Sequence, residues 1–356
     1  MTQTSFSLSG STLLPGGQIQ ETTLYLTGGS ISRLSPGRDP GADLAVEGTI
    51  IPGLIDVQVN GAYGFDFTND AAGILPVAAR LPETGVTAFL PTIITSAFES
   101  YPARLGEVAR ACRENKPPEA RVLGVHLEGP YLNLKRKGAH PPAYIRPLDV
   151  AEIRRWADSE TVRVITLAPE LEHGLEAVQA LNEMGIVVSI GHSDATYEQA
   201  RAAFAGGVRW ATHLYNAQSP LQHREPGLMG AILTSDVPCG LIVDGIHSHP
   251  AMVKLAHRSK GAAGITLVTD CMAAMGMSPG NYELGHHHVI VTEESARLED
   301  GVLAGSILRL DQAVRNMMAY TGCSLAEAVG MATTTPARLL GLDAMGAIAP
   351  GFAADL

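Results

Sequence analysis

Two hydrophobic rhythms divide this chain. Over residues 1 to about 48, Thr, Leu, Tyr and Ile alternate with polar residues in short runs (SFSLSG, ETTLYLTGGSISRL, ADLAVEG) separated by Gly and Pro. A period of two broken by turn residues predicts small antiparallel strands. From Thr49 the apolar runs become near-continuous: TIIPGLIDVQV, GVTAFLPT, RVLGVHLEG, TVRVITLAPE, GIVVSIGH, GVRWATH, CGLIVDG and GITLVTD. Between most of them lie segments of helical spacing, such as FESYPARLGEVARACREN, LDVAEIRRWADS, GLEAVQALNEMG, YEQARAAFAGG and PAMVKLAHRSKG. Strands apolar on both faces, alternating with amphipathic helices, imply a parallel sheet covered on both sides. Eight such runs between Thr49 and Asp270 predict an α/β fold of (β/α)8 TIM-like barrel type. An open doubly wound sheet is the alternative, but no GxGxxG follows the first strand.

After the eighth run come two helical segments, SILRLDQAVRNMMAYTG and SLAEAVGMATTTPARLLG, and then GAIAPGFAADL, extended and apolar. This tail is expected to return to the N-terminal strands. The expected division is a small β-sandwich domain from residues 1–48 with 343–356, and a barrel over 49–342. The chain stops at Leu356 in what reads as the opening of a strand, so a further C-terminal segment is one expectation.

Composition narrows the function. The chain is 46% hydrophobic and 17% charged, a globular balance. The net charge is −11, from 25 basic and 36 acidic side chains, which argues against a nucleic-acid partner. Any anionic ligand therefore needs a local basic pocket. Cys112, Cys239, Cys271 and Cys323 form no CxxC pair, as in a reduced, cytoplasmic protein. MTQTSFSLSG has no basic segment before an apolar core, and no stretch of about 18 apolar residues occurs, so neither secretion nor a membrane partner is expected.

In a barrel of this kind functional groups sit at the C-terminal ends of the strands and in the loops that follow. That rule selects Gln58 and Asn60, His126 and Glu128, His192, His213, Asp244 and His247, and Asp270. Two imidazoles and one carboxylate, with one position open, are a common catalytic zinc set, and Glu128, His192 and His213 could supply it. Asp270 is then the natural general base. Each histidine alone reads first as a hydrogen-bonded structural residue; four polar strand ends in one barrel together leave enzyme and ornament equally open. The loop NLKRKGAHPPAYIRP carries Lys135, Arg136, Lys137 and His140, either a solvated basic loop or a lid over an anionic substrate. Arg224 in NAQSPLQHREPG could hold a phosphate or carboxylate, or form a surface salt bridge. His286–His288 read as an exposed strand in a hairpin rather than a metal tract. DGVLAGSIL either lets backbone approach a ligand or is a turn opening a helix.

PGLIDVQVNG, GVHLEGPYLN, KGAH, TLAPE, GHSDAT, THLYNAQ, HREPGLMGA, DGIHSHP, LVTD and DGVLAGS, in this order from about Pro52 to Gly341, resemble the N-acetylglucosamine-6-phosphate deacetylases of the amidohydrolase superfamily. The terminal pieces resemble that family's small β domain. The resemblance implies that Glu128, His192 and His213 bind metal, that Asp270 is the acid/base, and that His140, beside Ala139, polarises the acetamide carbonyl. It implies sugar contacts at Asn216 and Ala217, phosphate contacts at Arg224 and His247, and a pocket-lining loop at Leu303, Ala304 and Gly305. The implied reaction releases acetate from a phosphorylated amino sugar, in a homodimer whose Arg224 reaches the neighbouring site. Another amidohydrolase, acting on an N-acyl amino acid or cyclic amide, and a catalytically silent sugar-phosphate sensor are the alternatives.

Many amidohydrolases carry HxH at the end of strand one and bind two metals; here those positions are Gln58 and Asn60. An amide is a poor transition-metal ligand beside imidazole. One divalent ion per subunit is expected, zinc by preference, with iron, manganese or cobalt able to substitute. Elemental analysis of the purified protein should return one tightly held ion per chain; two would refute the reading.

Overall fold

The eight apolar runs become eight consecutive parallel strands in the computed structural model, which describes residues 5–158 and 160–356. Residues 1–4 of the expected β unit and Ser159, the last of LDVAEIRRWADS, lie outside the described residues. Strands one to eight are Leu54–Val59, Val86–Ile94, Val125–Glu128, Val162–Leu167, Val187–Ile190, Trp210–Ala211, Cys239–Leu241 and Ile265–Leu267. Each hydrogen-bonds to the next in sequence order. Every residue of strands one, three, five, six, seven and eight is buried. Helices cover the outer face and side chains fill the inner one, which is why the runs lack a polar period.

A helix follows every strand, ending with Leu310–Thr321 after strand eight. Two of these have no counterpart in the helical spacing. Ile74–Arg80 is only seven residues long and carries a proline. Gly227–Leu233 buries Gly227, Leu228, Gly230, Ala231, Ile232 and Leu233, so it has no polar face to mark a period. The segment SLAEAVGMATTTPARLLG is two helices rather than one, Leu325–Met331 and Thr334–Leu340. β-Branched threonines disfavour the helix at the break, and Pro336 falls in the first turn of the second helix, where its missing N–H has no intrahelical acceptor.

Strands eight and one share no continuous ladder. They meet at the barrel's top through a parallel bridge between Val59 and Cys271 and through Asp270 N donating to Gln58 O (2.9 Å) and Asn60 N to Cys271 O (2.8 Å). A buried carboxylate braces the same seam: Asp56 Oδ2 accepts from Thr269 Oγ1 (2.6 Å), and Asp56 Oδ1 from Gln58 N (3.2 Å) and Thr269 N (3.4 Å).

The N-terminal strands form a separate sheet in the order Ser30–Pro36, Ile19–Thr27, Ser5–Leu13, Leu44–Ile50. The expected antiparallel pattern holds for the first three, but Leu44–Ile50 pairs parallel to Ser5–Leu13. The C-terminal tail returns to this sheet, with Ile31 N donating to Phe352 O (2.8 Å) and Ala354 N to Gly29 O (2.9 Å). Ile348 is fully buried with Leu8, Leu24, Ile31 and Ile50. The four cysteines are unpaired, and among the described residues no helix is long and apolar enough to cross a membrane.

Ile348→Ala should lower the unfolding free energy by about 2–5 kcal/mol through the cavity it leaves, read by denaturant melts, with metal content unchanged. A loss below about 1 kcal/mol would mean that the tail contributes little to the small sheet's core.

Candidate metal centre and active site

The strand ends open into a cavity of about 450 Å³ lined by Glu128, His140, His192, His213, His247 and Asp270, among others. At its floor, Glu128 Oε1 lies 3.1 Å from His192 Nε2 and 2.9 Å from His213 Nε2, and the two ring nitrogens are 3.1 Å apart. His192 Nδ1 faces the Arg136 carbonyl oxygen at 2.8 Å. A carbonyl only accepts, so in neutral His192 the proton sits on Nδ1 and Nε2 is a bare lone pair. His213 can place one proton on Nε2, which serves one edge of the triangle. The other edges then bring lone pairs together, an arrangement that a cation at the centre relieves. Ligands about 2.0–2.1 Å from a tetrahedral zinc stand about 3.3–3.4 Å apart, close to these spacings. The donor set therefore fits a divalent metal.

Glu128, His140 and His192 also offer atoms within 4.8 Å of one another, but His140 is a poorer third ligand. Its Nδ1 accepts from Thr95 N (3.3 Å) and lies 2.9 Å from Thr95 Oγ1. The neutral ring is thus an Nε2–H tautomer, and that nitrogen is 3.8 Å from Glu128 Oε2. It presents a donor, not a lone pair, beside the cavity. Burial, then the neighbouring His192, hold its pKa well below the usual imidazole range.

Burial pushes the Glu128 carboxyl up, but the His192 and His213 rings, which when protonated donate to it and carry positive charge, outweigh this and leave its pKa well below normal. His213 responds in the opposite sense: burial opposes its protonation, but Glu128 raises it. Asp270 is pushed up to about 6 by burial and then by the charge of Glu128. Its Oδ1 accepts from Asn60 Nδ2 (2.7 Å) and Gln58 Nε2 (3.0 Å). Gln58 Nε2 also donates to Glu128 Oε1 (3.2 Å). The Gln58 amide therefore bridges the two carboxylates.

Asp244 turns His247: its Oδ2 is 2.7 Å from His247 Nδ1, and its Oδ1 accepts from the backbone of Ile246 and His247, both at 2.8 Å. Ala139, Asn216, Ala217, Leu303 and Gly305 line the cavity as expected positions, whereas Ala304 does not line it and is buried in a cluster with Met272 and Val289. Arg224 is exposed and does not line the cavity of the single chain. The basic loop does line it through Lys135 and Arg136, whose charges meet at Asp194 (3.3 and 2.8 Å). Of the histidine tract, His286 and His288 are exposed. His126 turns below the cavity, with Nδ1 3.2 Å from Val57 O and Nε2 2.7 Å from Thr166 Oγ1. Arg297 lines the cavity and was not singled out in the sequence; it sits on the edge of a polar hairpin, where a lone arginine carries no pattern. Thr95, just past the end of strand two, was missed because a lone threonine there carries no pattern either.

The backbone is unusual where the side chains converge. His192, His213 and Asp270 have φ of 48°, 28° and 50°, and Ala217 has 50°. Non-glycine residues in this left-handed region cost on the order of 1–3 kcal/mol each and persist where surrounding structure dictates them.

The amidohydrolase family profile matches residues 49–356. An N-acetylglucosamine-6-phosphate deacetylase of Lysinibacillus sphaericus is 41% identical over 95% of this chain and 89% of its own. An N-acetylgalactosamine-6-phosphate deacetylase of Escherichia coli O157:H7 is 41% identical over 86% of this chain and 82% of its own. A Mycobacterium smegmatis N-acetyl-D-glucosamine-6-phosphate deacetylase variant, solved with N-acetyl-D-glucosamine-6-phosphate, superposes with a TM-score of 0.91 at 33% identity, covering 99% of this chain and 94% of that one.

Burial holds the Asp56 carboxyl up at about 7, against the hydrogen bonds from Thr269 and Gln58. An acid whose folded pKa exceeds its unfolded value of about 3.9 favours the fold when protonated, and that contribution fades as pH rises between the two values. In metal-free protein, the stability of wild type relative to Asp56→Asn should therefore fall between pH of about 4 and 7, by up to a few kcal/mol. A difference flat across that window would assign Asp56 an ordinary pKa.

Proposed function

The chain belongs to the amidohydrolase family, and from that membership we propose that it hydrolyses the acetamide of N-acetylglucosamine 6-phosphate to glucosamine 6-phosphate and acetate. The observation that carries this reading is the convergence in one cavity of the Glu128–His192–His213 triangle, the His140 donor and the Asp270 carboxylate.

Glu128, His192 and His213 would hold one divalent ion, zinc by preference because nitrogen-rich mixed sets suit it. Bound there, it supplies Lewis-acid polarisation and acidifies water. The chain's own groups do the rest. His247, fixed by Asp244, anchors the phosphate on the cavity wall, and Asn216 and Ala217 meet the sugar. Arg224, exposed on its loop, supplies a second phosphate contact to the neighbouring chain of a homodimer. His140 Nε2–H donates toward the acetyl carbonyl oxygen as negative charge grows on it. Asp270, its Oδ1 tethered by Gln58 and Asn60, takes a proton from the attacking water. It returns that proton to the amine nitrogen as the C–N bond breaks, so one carboxyl serves as base and then acid.

The E. coli relative named for N-acetylgalactosamine 6-phosphate, at 41% identity, makes the 4-epimer the second reading, because overall identity ranks the two equally.

Acetate release should be measured on N-acetylglucosamine 6-phosphate, N-acetylgalactosamine 6-phosphate and unphosphorylated N-acetylglucosamine. The first is expected to be fastest, the last slowest, and a chelator to abolish all three. Preference for the unphosphorylated sugar would overturn the reading. Asp270→Asn should fold and keep its metal while turnover drops by about 10²–10⁴; near-normal turnover would remove Asp270 from its role.

A further inference from the structure

Beneath the cavity floor, four side chains from four consecutive strands join in a fully buried chain. His126 of strand three meets Thr166 of strand four (2.7 Å), Thr166 meets Thr212 (2.7 Å), which follows strand six, and Thr212 meets Ser189 of strand five (2.6 Å). The proton order follows from one fixed end. Val57 O is an acceptor 3.2 Å from His126 Nδ1, so the neutral ring donates there and accepts at Nε2. Thr166 therefore donates to His126. Thr212 must then donate to Thr166, because otherwise two hydroxyl lone pairs would face each other at 2.7 Å. Ser189 in turn donates to Thr212. The chain has a single consistent direction, Ser189 to Thr212 to Thr166 to His126.

Its position is as specific as its order. Thr212 directly precedes His213, and Thr166 pairs in register with Glu128 on one side and Ser189 on the other. Gly191, which directly precedes His192, lies so close that a Cβ there would sit 2.8 Å from both Thr166 Cγ2 and Thr212 Cβ. Of the two left-handed histidines, at φ of 48° and 28°, His213 directly follows a member of this layer, and His192 follows a glycine packed against it.

We infer that the Ser189–Thr212–Thr166–His126 chain is a positioning device for the metal centre, holding the backbone that aims His192 and His213 at Glu128 and thereby setting metal affinity. No member contacts the metal position; each acts through the residues above it. The inference rests on Glu128, His192 and His213 being the ligands. Hydroxyl-bearing residues are needed here because an apolar side chain of equal volume would fill the space but leave the His126 acceptor unpaired and the neighbouring strands free to shift.

The test is metal affinity, not turnover. Full-length protein stripped with a chelator is titrated with Zn²⁺ against a chromophoric competitor. Thr166→Val and Thr212→Val, both near-isosteric, should weaken binding by about tenfold, the lower end of what losing a ligand's hydrogen-bonded partner costs, because these hydroxyls act one step further from the ligands. Thr166→Ser, which restores the hydroxyl without the methyl, should return it to within about threefold of wild type. Thermal melts identify folded variants, and if Thr166→Val does not fold, Thr212→Val and Ser189→Ala read the same quantity. Valine variants that bind as tightly as wild type, or a Thr166→Ser variant as weak as Thr166→Val, would overturn the inference. Wild-type protein that takes up no divalent ion would overturn the ligand assignment as well, whereas metal uptake without deacetylation would count against the substrate alone.

Discussion

Glu128 is the constraint around which the site is built. It is 3% exposed, and an ionised carboxylate so placed costs several kcal/mol unless partners meet it. Three nitrogens from three other segments converge on one of its oxygens: Gln58, His192 and His213. Its own carbonyl oxygen lies 3.3 Å from Thr95 Oγ1, and the Thr95 hydroxyl and backbone N–H both face His140 Nδ1. The barrel makes this convergence possible because successive strands place their C-terminal ends around one rim. Gln58 and His213 can donate to the carboxylate, whereas the bare lone pair of neutral His192 facing the same oxygen is relieved by a cation at the centre.

The cost of the arrangement appears in the backbone. Residues that end buried strands ordinarily stay extended, yet His192, His213 and Asp270 turn into the left-handed region. Regular β geometry would alternate their side chains between barrel interior and exterior. The turn at the strand end instead directs them over the rim, toward the cavity. The polar layer below, together with the Asp56–Thr269 contact (2.6 Å) one residue before Asp270, supplies fixed points at the places where the chain departs from its preferred conformation. Local rules yield at the functional site and are met elsewhere.

Gln58 shows how a change of residue type can alter a centre without dismantling it. At this strand end, where many amidohydrolases carry a histidine, an amide N–H₂ spans Glu128 and Asp270 at 3.2 and 3.0 Å. Two donor hydrogens lie between two carboxylates, a neutral substitute for a cation in the same gap. It holds Oδ1 of Asp270 without claiming the whole carboxyl. It also leaves Asp270 raised to about 6 in the metal-free protein, and a cation held by the triangle would draw that value down.

The barrel was legible because strands buried on both faces must be apolar throughout, and eight such runs occur in order. The helices that escaped notice, Ile74–Arg80 and Gly227–Leu233, are short or lack a polar face, so amphipathic period could not mark them. Glu128, His192, His213, His140 and Asp270 were legible as polar groups ending apolar runs or standing in loops that follow them, and as parts of recognisable motifs. Thr95, Thr166, Ser189, Thr212 and Arg297 were not, because a threonine in a strand or an arginine in a hairpin is ordinary until something faces it. Residue type and order along the chain determined which elements form and which groups reach the rim. Only the tertiary structure decided that His140 presents a proton while His192 presents a lone pair, that Arg224 stands outside its own chain's cavity, and that His126 serves the layer beneath. Those distinctions depend on which atom lies opposite which across strands far apart in sequence, and hydrogen bonds a few tenths of an ångström from failure are settled by packing alone.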